Sequence, residues 1–283
     1  MNDGWLVAGW LGGVALLAGL SWKWCLPLRA AGPIIALAAG LGALAGAWAR
    51  AAGWPLLAAW GLIGVVELAA YVGAILYRFY RDPERTPPSD PRAIVSPADG
   101  TVIYIRRVPA GGVLRSEKRG AQLVLEELNG SPLAAAELWQ IGISMVFTDV
   151  HVNRAPIAGT VTLARHQPGK FLSLRIPEAV NLNERQTLVL DNGRFALALV
   201  QIASRLVRRI EAYVREGEVV ARGQRIGMIK FGSQVDVFLP VAVAPELRVR
   251  EGDVLVAGES ILALSPVLAA TIAEHDAAAK AAR

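Results

Sequence analysis

Hydrophobic and polar positions are spread unevenly along this chain, and the unevenness divides it. Gly4 to Trp22 is an uncharged run of 19 residues and Ala30 to Ala49 another of 20; each, as a helix, can cross about 30 Å of hydrocarbon. A third stretch, Ala51 to Tyr77, opens with the turn-like Gly53-Trp54-Pro55 and is interrupted only by Glu67. A carboxylate at the centre of an inserted helix costs roughly 2.5 to 3.5 kcal/mol unless it takes a proton or finds a partner. The pattern therefore predicts two transmembrane α-helices and allows a third, within residues 1–80. The next segment, Arg81-Asp82-Pro83-Glu84-Arg85-Thr86-Pro87-Pro88-Ser89-Asp90-Pro91, is dense in proline and charge and reads as a linker over 81–91. Beyond it, short apolar stretches alternate with turn residues: Gly100 to Ile105, Gly112 to Leu114, Leu138 to Phe147, Gly159 to Leu163, Thr187 to Leu190 and Phe195 to Ile202. That pattern predicts a mostly-β globular domain over 92–265, followed by an alanine-rich tail at 266–283 that is its longest helix candidate.

An internal repeat refines the β domain. Val214-Arg215-Glu216-Gly217-Glu218-Val219 returns 35 positions later as Val249-Arg250-Glu251-Gly252-Asp253-Val254, and the copies continue as Gly223-Gln224-Arg225-Ile226 and Gly258-Glu259-Ser260-Ile261. The pattern resembles the barrel-sandwich of lipoyl and biotinyl carrier domains, in which a glycine-turn unit recurs in two quasi-symmetric halves. A repeat of this kind specifies a fold fragment and no activity.

Charge sharpens the division. Before Arg78 the charged side chains are Asp3, Lys23, Arg29, Arg50 and Glu67, so 48 of the 53 charges lie from Arg78 onward. A net charge of +5 raises the question of nucleic acid, but from Arg78 onward 26 basic face 22 acidic residues, mixed along the chain, which disfavours that partner. With three spans and the N-terminus outside, Lys23, Arg29, Arg78, Arg81 and Arg85 fall on the inner side and Arg50 alone outside. The positive-inside rule then puts the β domain in the cytoplasm, on the inner membrane. A cleaved signal peptide is disfavoured, because Met1-Asn2-Asp3 has no basic residue and further apolar runs follow. The single cysteine, Cys25, excludes an internal disulfide framework and fits a reducing compartment.

Candidate chemistry lies between the repeat copies, in Lys230-Phe231-Gly232-Ser233-Gln234-Val235-Asp236. A Gly-Ser pair alone is usually a loop. Upstream stand Ser96-Pro97-Ala98-Asp99-Gly100, Asp149-Val150-His151-Val152-Asn153-Arg154-Ala155-Pro156-Ile157-Ala158-Gly159, Pro168-Gly169-Lys170-Phe171 and Asn183-Glu184-Arg185. In this order, behind an apolar N-terminus, these motifs resemble the phosphatidylserine decarboxylase proenzymes, especially their short bacterial and archaeal branch, from about Arg81 to Pro240.

The resemblance implies a zymogen that cuts itself between Gly232 and Ser233, turns the serine into a covalent pyruvoyl cofactor and decarboxylates phosphatidylserine to phosphatidylethanolamine. It also implies that the two chains stay associated and pair as a homodimer. The residues suit the cut: a glycine leaves its carbonyl accessible, and a turn can hold the Ser233 hydroxyl against it. A serine hydroxyl needs a base with an orienting partner. The motifs assign Ser233 as nucleophile, His151 as base and Asp99 as orienter. Longer family members place the processing histidine three positions further on, where this chain has Arg154, so His166 stays open as the rival base, while His275 lies in the tail. Asn153 and Arg154 are candidates for the substrate carboxylate or phosphate. Asp236 has no role derivable from sequence. Three scattered histidines and one cysteine give no metal-ligand spacing. Two other readings stay open: a membrane-anchored carrier or adaptor modified at Lys230, and a decarboxylase of another serine-headgroup lipid such as archaetidylserine.

Overall fold

The computed structural model describes residues 4–24, 26–118, 121–129, 131–168, 184–203, 209–230 and 233–268. Cys25, Lys170, Phe171, Asn183, Phe231, Gly232 and His275 lie outside the described residues, as does the Ser233 side chain. The chain divides into two units: the first takes the helices up to Arg81 together with Val146–Asp149, and the second takes the rest.

The apolar runs of the first unit form three helices, α1 (Gly4–Lys23), α2 (Leu28–Ala51) and α3 (Leu56–Tyr80), each long and apolar enough to span a membrane. Pro27 and Pro55, each fixed near φ −60°, stand immediately before α2 and α3, where a missing amide proton costs nothing. The third run is thus a full helix, shifted a few residues beyond the predicted Tyr77. Glu67 explains how it tolerates a carboxyl. The side chain is buried among the helices and fills a notch made by Gly13 of α1 and Gly42 of α2. A methyl group at Gly42 would stand 2.5 Å from Glu67 Cγ, so only glycine leaves room. Neither carboxylate oxygen has a hydrogen-bond partner among the described residues. Val146–Asp149 closes as a tight turn, the Val146 amide donating to the Asp149 carboxylate at 2.8 Å. Its Phe147 meets Trp24 edge to face at 5.8 Å, and Arg81 donates to the Thr148 carbonyl.

The second unit is β-structure. Chain order gives β1 (Ala93–Val95), β2 (Gly100–Val108), β3 (Arg115–Lys118), β4 (Ala121–Val124) and β5 (Leu138–Met145). Next come β6 (Val152–Arg154), β7 (Gly159–Gln167), β8 (Arg185–Asp191), β9 (Ala196–Ala203) and β10 (Arg209–Ala212). The last are β11 (Val219–Val220), β12 (Arg225–Lys230), β13 (Ser233–Pro240), β14 (Val254–Leu255) and β15 (Ile261–Leu264). Eight of them form one antiparallel curled sheet in the order β11-β7-β8-β9-β13-β5-β2-β14, and β10-β12-β6 form a smaller one. The central β9 is buried along its whole length, as a strand covered on both faces must be. Ile143, Leu199, Val235 and Val237 serve one core, Val200, Ile202 and Phe238 another. The expected strand at Gly112 to Leu114 is coil, and the strand begins at Arg115. The Gly111 and Gly112 amides are taken by the Ala134 and Pro109 carbonyls, which leaves no ladder for it.

The two repeat copies occupy the two ends of the large sheet, β11 against β7 and β14 against β2. A second repeat, not noticed in the sequence, receives them: Pro97-Ala98-Asp99-Gly100-Thr101-Val102 and Pro156-Ile157-Ala158-Gly159-Thr160-Val161. The Val102 amide donates to Asp253 O at 2.9 Å and the Val161 amide to Glu218 O at 2.8 Å; the Gly252 and Gly217 amides return the bond to Val102 O and Val161 O. Gly223 and Gly258, at φ +80° and +77°, sit at matching turns.

The segment Asp82–Pro91 has no regular structure, as expected, yet it is strapped down. Arg225 holds Asp82 and Glu84, and Arg154 holds Asp82 and the Pro83 carbonyl. Arg222 donates to the carbonyls of Pro88, Asp90 and Ala93. Pro87 packs on Gly223, where a methyl group would collide with its ring.

Candidate active site

Strand register gathers the motif residues around the start of β13. Ser233, its first residue, lies between Met145 of β5 and Ala203 of β9. One residue on, Gln234, Ser144 and Thr101 stand in a row across β13, β5 and β2, which brings Asp99, two residues before Thr101, to the same end of the sheet. The chain that leaves β5 at Met145, opposite Ser233, comes back as Val150-His151. There the His151 carbonyl accepts the Ile229 amide at 3.2 Å, and β12 runs on from Ile229 toward Ser233. The loop carrying His151 thus begins and ends beside the two strands that Phe231-Gly232 join.

Gly100 lets β2 begin here. Its φ is +141°, and a side chain would strike the Ser144 carbonyl of β5. Asp99, just before it, is nearly buried and anchors three directions at once. Oδ1 accepts the Ala257 amide at 2.8 Å, from the second repeat turn, and Oδ2 accepts the Val150 amide at 3.3 Å, next to His151. Arg85 Nη2 reaches both oxygens at 3.2 and 3.3 Å. The carboxylate is therefore tied to the peptide preceding a fully buried histidine.

Asn153 and Arg154 diverge. Asn153 is buried in β6, its Oδ1 accepting from Gln201 Nε2 at 2.7 Å, while Asn153 Nδ2 and Gln201 Oε1 have no hydrogen-bond partner among the described residues. Gln201 sits on β9 opposite Val235, two residues from Ala203, the register neighbour of Ser233. Buried amides left this way cost about 1 to 3 kcal/mol each, which a bound polar group would recover. Arg154 is also buried, but its guanidinium goes to Gly223 O, Pro83 O and Asp82, inside the strap. Burial, together with Arg225 and Arg85 nearby, pushes it below the usual guanidinium range. His166 is half-exposed beside Glu184 and lies three strands from β13, through Gln186 and Gln201 to Val235, roughly 14 Å along the sheet. Lys230 is paired with Glu211 across β10 and β12.

Sequence reasoning missed Arg85, Gln201 and the environment of Asp236. The last is fully buried, accepting from Tyr104 Oη at 2.6 Å, Gln140 Nε2 at 3.1 Å and Gln234 Nε2 at 2.8 Å. Burial raises its carboxyl above the ordinary value despite these donors. A glutamine inside the apolar run of β9 and an aspartate inside that of β13 were the available signals.

Residues 72–263 match the family model described as phosphatidylserine decarboxylase. Curated relatives agree. The chain is 43% identical over 196 residues to a phosphatidylserine decarboxylase proenzyme of Erythrobacter litoralis, covering 69% of this chain and 74% of that one. It is 42% identical to proenzymes of the same name from Pelobacter propionicus, over 65% of this chain and 74% of that one, and from Geotalea uraniireducens, over 66% and 78%. The chain belongs to the phosphatidylserine decarboxylase family. The family match takes in Asp99, His151, Ser233 and all of the strap, and begins within α3. Lys230, its amine paired with Glu211, is poorly placed to be a carrier's modified lysine.

Proposed function

We propose that this protein is a carboxy-lyase that matures by cutting itself between Gly232 and Ser233 and then decarboxylates phosphatidylserine to phosphatidylethanolamine. The observation that carries the reading is the meeting of the His151 loop, the Asp99 carboxylate and the first residue of β13 at one end of the sheet.

In maturation the Ser233 hydroxyl attacks the Gly232 carbonyl carbon and gives its proton to His151. The C–N bond breaks as the Ser233 nitrogen takes up a proton, leaving Gly232 as an ester on Ser233 Oγ. Removal of the Ser233 α-proton expels the Gly232 carboxylate with that oxygen, and water replaces the nitrogen, which leaves as ammonia. Asp99 holds the Val150 peptide and so the approach of His151. The new N-terminus suits a pyruvoyl group, because the start of β13 is held by β5 and β9 on its two sides, and Asn153 Nδ2 and Gln201 Oε1, buried without a hydrogen-bond partner among the described residues, remain to receive a polar group. That group would supply an electrophilic carbonyl for the headgroup amine and an electron sink for the decarboxylation. Asn153 holds the substrate carboxylate, and His151 returns a proton to the product carbon. The strand pairing of β13 with β5 and β9 keeps the two chains together after the cut.

The helices tether the β domain to the bilayer and raise the effective concentration of its lipid substrate. The excess of Lys and Arg on one side of the helices supports a domain on the cytoplasmic side of the inner membrane. Intact mass of the purified protein tests the reading. Two chains are expected, the smaller starting at residue 233 and about 17 Da lighter than a serine-started fragment, the mass of the lost amine. Ser233→Ala should leave one uncut, inactive chain. An uncut wild-type chain that turns over phosphatidylserine in detergent micelles would sink it.

A further inference from the structure

The segment between α3 and β1 was expected to be a spacer, yet it delivers one arginine to the candidate site. Arg85 is nearly buried, with 12% of its side chain exposed against 11% for Asp99. Its Nη2 spans both Asp99 oxygens and its Nη1 lies 3.6 Å from Glu259. The strap fixes it from both sides: Asp82 and Glu84 precede it on Arg225 and Arg154, the Thr86 amide follows on Glu259, and Pro87 follows on Gly223. The Gly258 turn lies against it: a side chain there would press on Arg154 Cδ at 2.9 Å and stand at ordinary contact distance, 3.8 Å, from Arg85 Cβ.

We propose that Arg85 is a positioning residue for self-cleavage, acting through Asp99 on the peptide that carries His151. The inference rests on the processing roles given above to Asp99 and His151. Two acids, Asp99 and Glu259, share this corner, and Arg85 is the cation that lies between them. Without it a nearly buried carboxylate faces a second one and turns toward water, because an unpaired buried charge is strongly disfavoured. That turn loosens its bond to the Val150 amide, and with it the placement of His151. A lysine keeps the charge but offers a single point where the guanidinium fork meets both oxygens. Arg85 touches neither Ser233 nor any reacting atom in this scheme; it sets the group that does the orienting.

The test is cell-free synthesis of the full chain into phospholipid vesicles, with release of the fragment starting at residue 233 followed over time. Arg85→Ala should slow release about 10- to 100-fold, Arg85→Lys less, and guanidinium chloride at millimolar concentration should restore part of the rate to the alanine variant. Arg225→Ala, which frees the strap without touching Asp99, should stay within about threefold of wild type. In the Asp99→Asn background, adding Arg85→Ala should slow release no further, because both changes break one linkage. A wild-type rate for Arg85→Ala, full additivity with Asp99→Asn, or an equal defect in Arg225→Ala would each overturn the proposal. If Asp99→Asn itself matures normally, the processing role of Asp99 falls as well, which separates failure of the foundation from failure of the inference.

Discussion

At one end of the large sheet, Pro97-Ala98-Asp99-Gly100-Thr101-Val102 meets the turn at Gly252; at the other, Pro156-Ile157-Ala158-Gly159-Thr160-Val161 meets the turn at Gly217 through the same backbone bonds. The third position differs. Asp99 is nearly buried, with Arg85, Val150 and Ala257 on its carboxylate. Ala158 is exposed and lines an open groove of about 720 Å³ with Thr160, Asp191 and Val219. A duplicated scaffold therefore provides two equivalent corners, and one carboxylate, supplied with a cation by the strap, distinguishes the corner that carries the proposed chemistry. Backbone symmetry positions; side-chain asymmetry decides use.

Making the first corner like the second is the most damaging test. Asp99→Ala should slow self-cleavage by about 100-fold or more, since the Val150 and Ala257 amides lose their acceptor and Arg85 its counter-charge. The reverse change, Ala158→Asp, falls on an exposed residue and should leave cleavage unaltered. Time-resolved gel analysis of both variants checks the pair. Equal defects would show that the corners are mechanically coupled and that the carboxylate is not what separates them.

The repeat turns should break in a graded way. Gly223 and Gly258 combine positive φ with a packed strap, whereas Gly217 and Gly252, also at positive φ, have open space around the missing side chain. Alanine at the first pair should destabilise by about 2 to 3 kcal/mol and at the second by about 1 kcal/mol, measured as shifts in the thermal unfolding of the detergent-solubilised protein. Equal losses in all four would mean that the strap contributes nothing at the turns.

These glycines also show what the sequence could reveal. The helices were legible because uncharged runs of that length have few other uses, and the Gly217 and Gly252 repeats because their neighbours are nearly identical. Asp99, His151 and Ser233 stood out through motif order; register brings Asp99 and Ser233 to one end of the sheet, and the Ile229 amide holds the His151 carbonyl. The second repeat escaped notice because Pro-x-x-Gly-Thr-Val is short and its copies lie 59 residues apart, a spacing unrelated to the other repeat's 35. The strap escaped because its meaning lies in Arg222 and Arg225, more than 130 positions away, and no local pattern joins an arginine to a distant carbonyl. Glu67 was readable as a cost; that two glycines on other helices make room for it was not.

Within β13 a second contrast can be sharpened by pH. Asp236 is as buried as Asp99 is anchored, but burial raises its carboxyl above the ordinary value. The folded state therefore binds its proton more readily than the unfolded state does. Below the unfolded value of about 3.9 both states are protonated and the group is neutral to stability; as pH rises from there toward the folded value, stability is progressively lost. Relative to Asp236→Asn, the wild type should lose stability across that window, read from unfolding midpoints at stepped pH. A relative gain with rising pH would mean that the donors Tyr104, Gln140 and Gln234 outweigh burial and hold the carboxylate ionised.

The smallest expected effect is at the sheet's two ends. Val219 of β11 and Val254 of β14 are equivalent repeat positions, 77% and 54% exposed, on two-residue strands that end the sheet. Short edge strands resist pairing with another chain, and a lysine there strengthens that resistance. Val219→Lys and Val254→Lys should each change stability by less than about 0.5 kcal/mol if both edges face solvent alike. A second copy docked on either edge would make the pair unequal, because burying an unpaired ammonium costs several times more than leaving it in water. Sedimentation of the two variants in detergent reads this directly: identical profiles keep the ends equivalent, and dissociation of one variant alone would assign that edge to a homodimer.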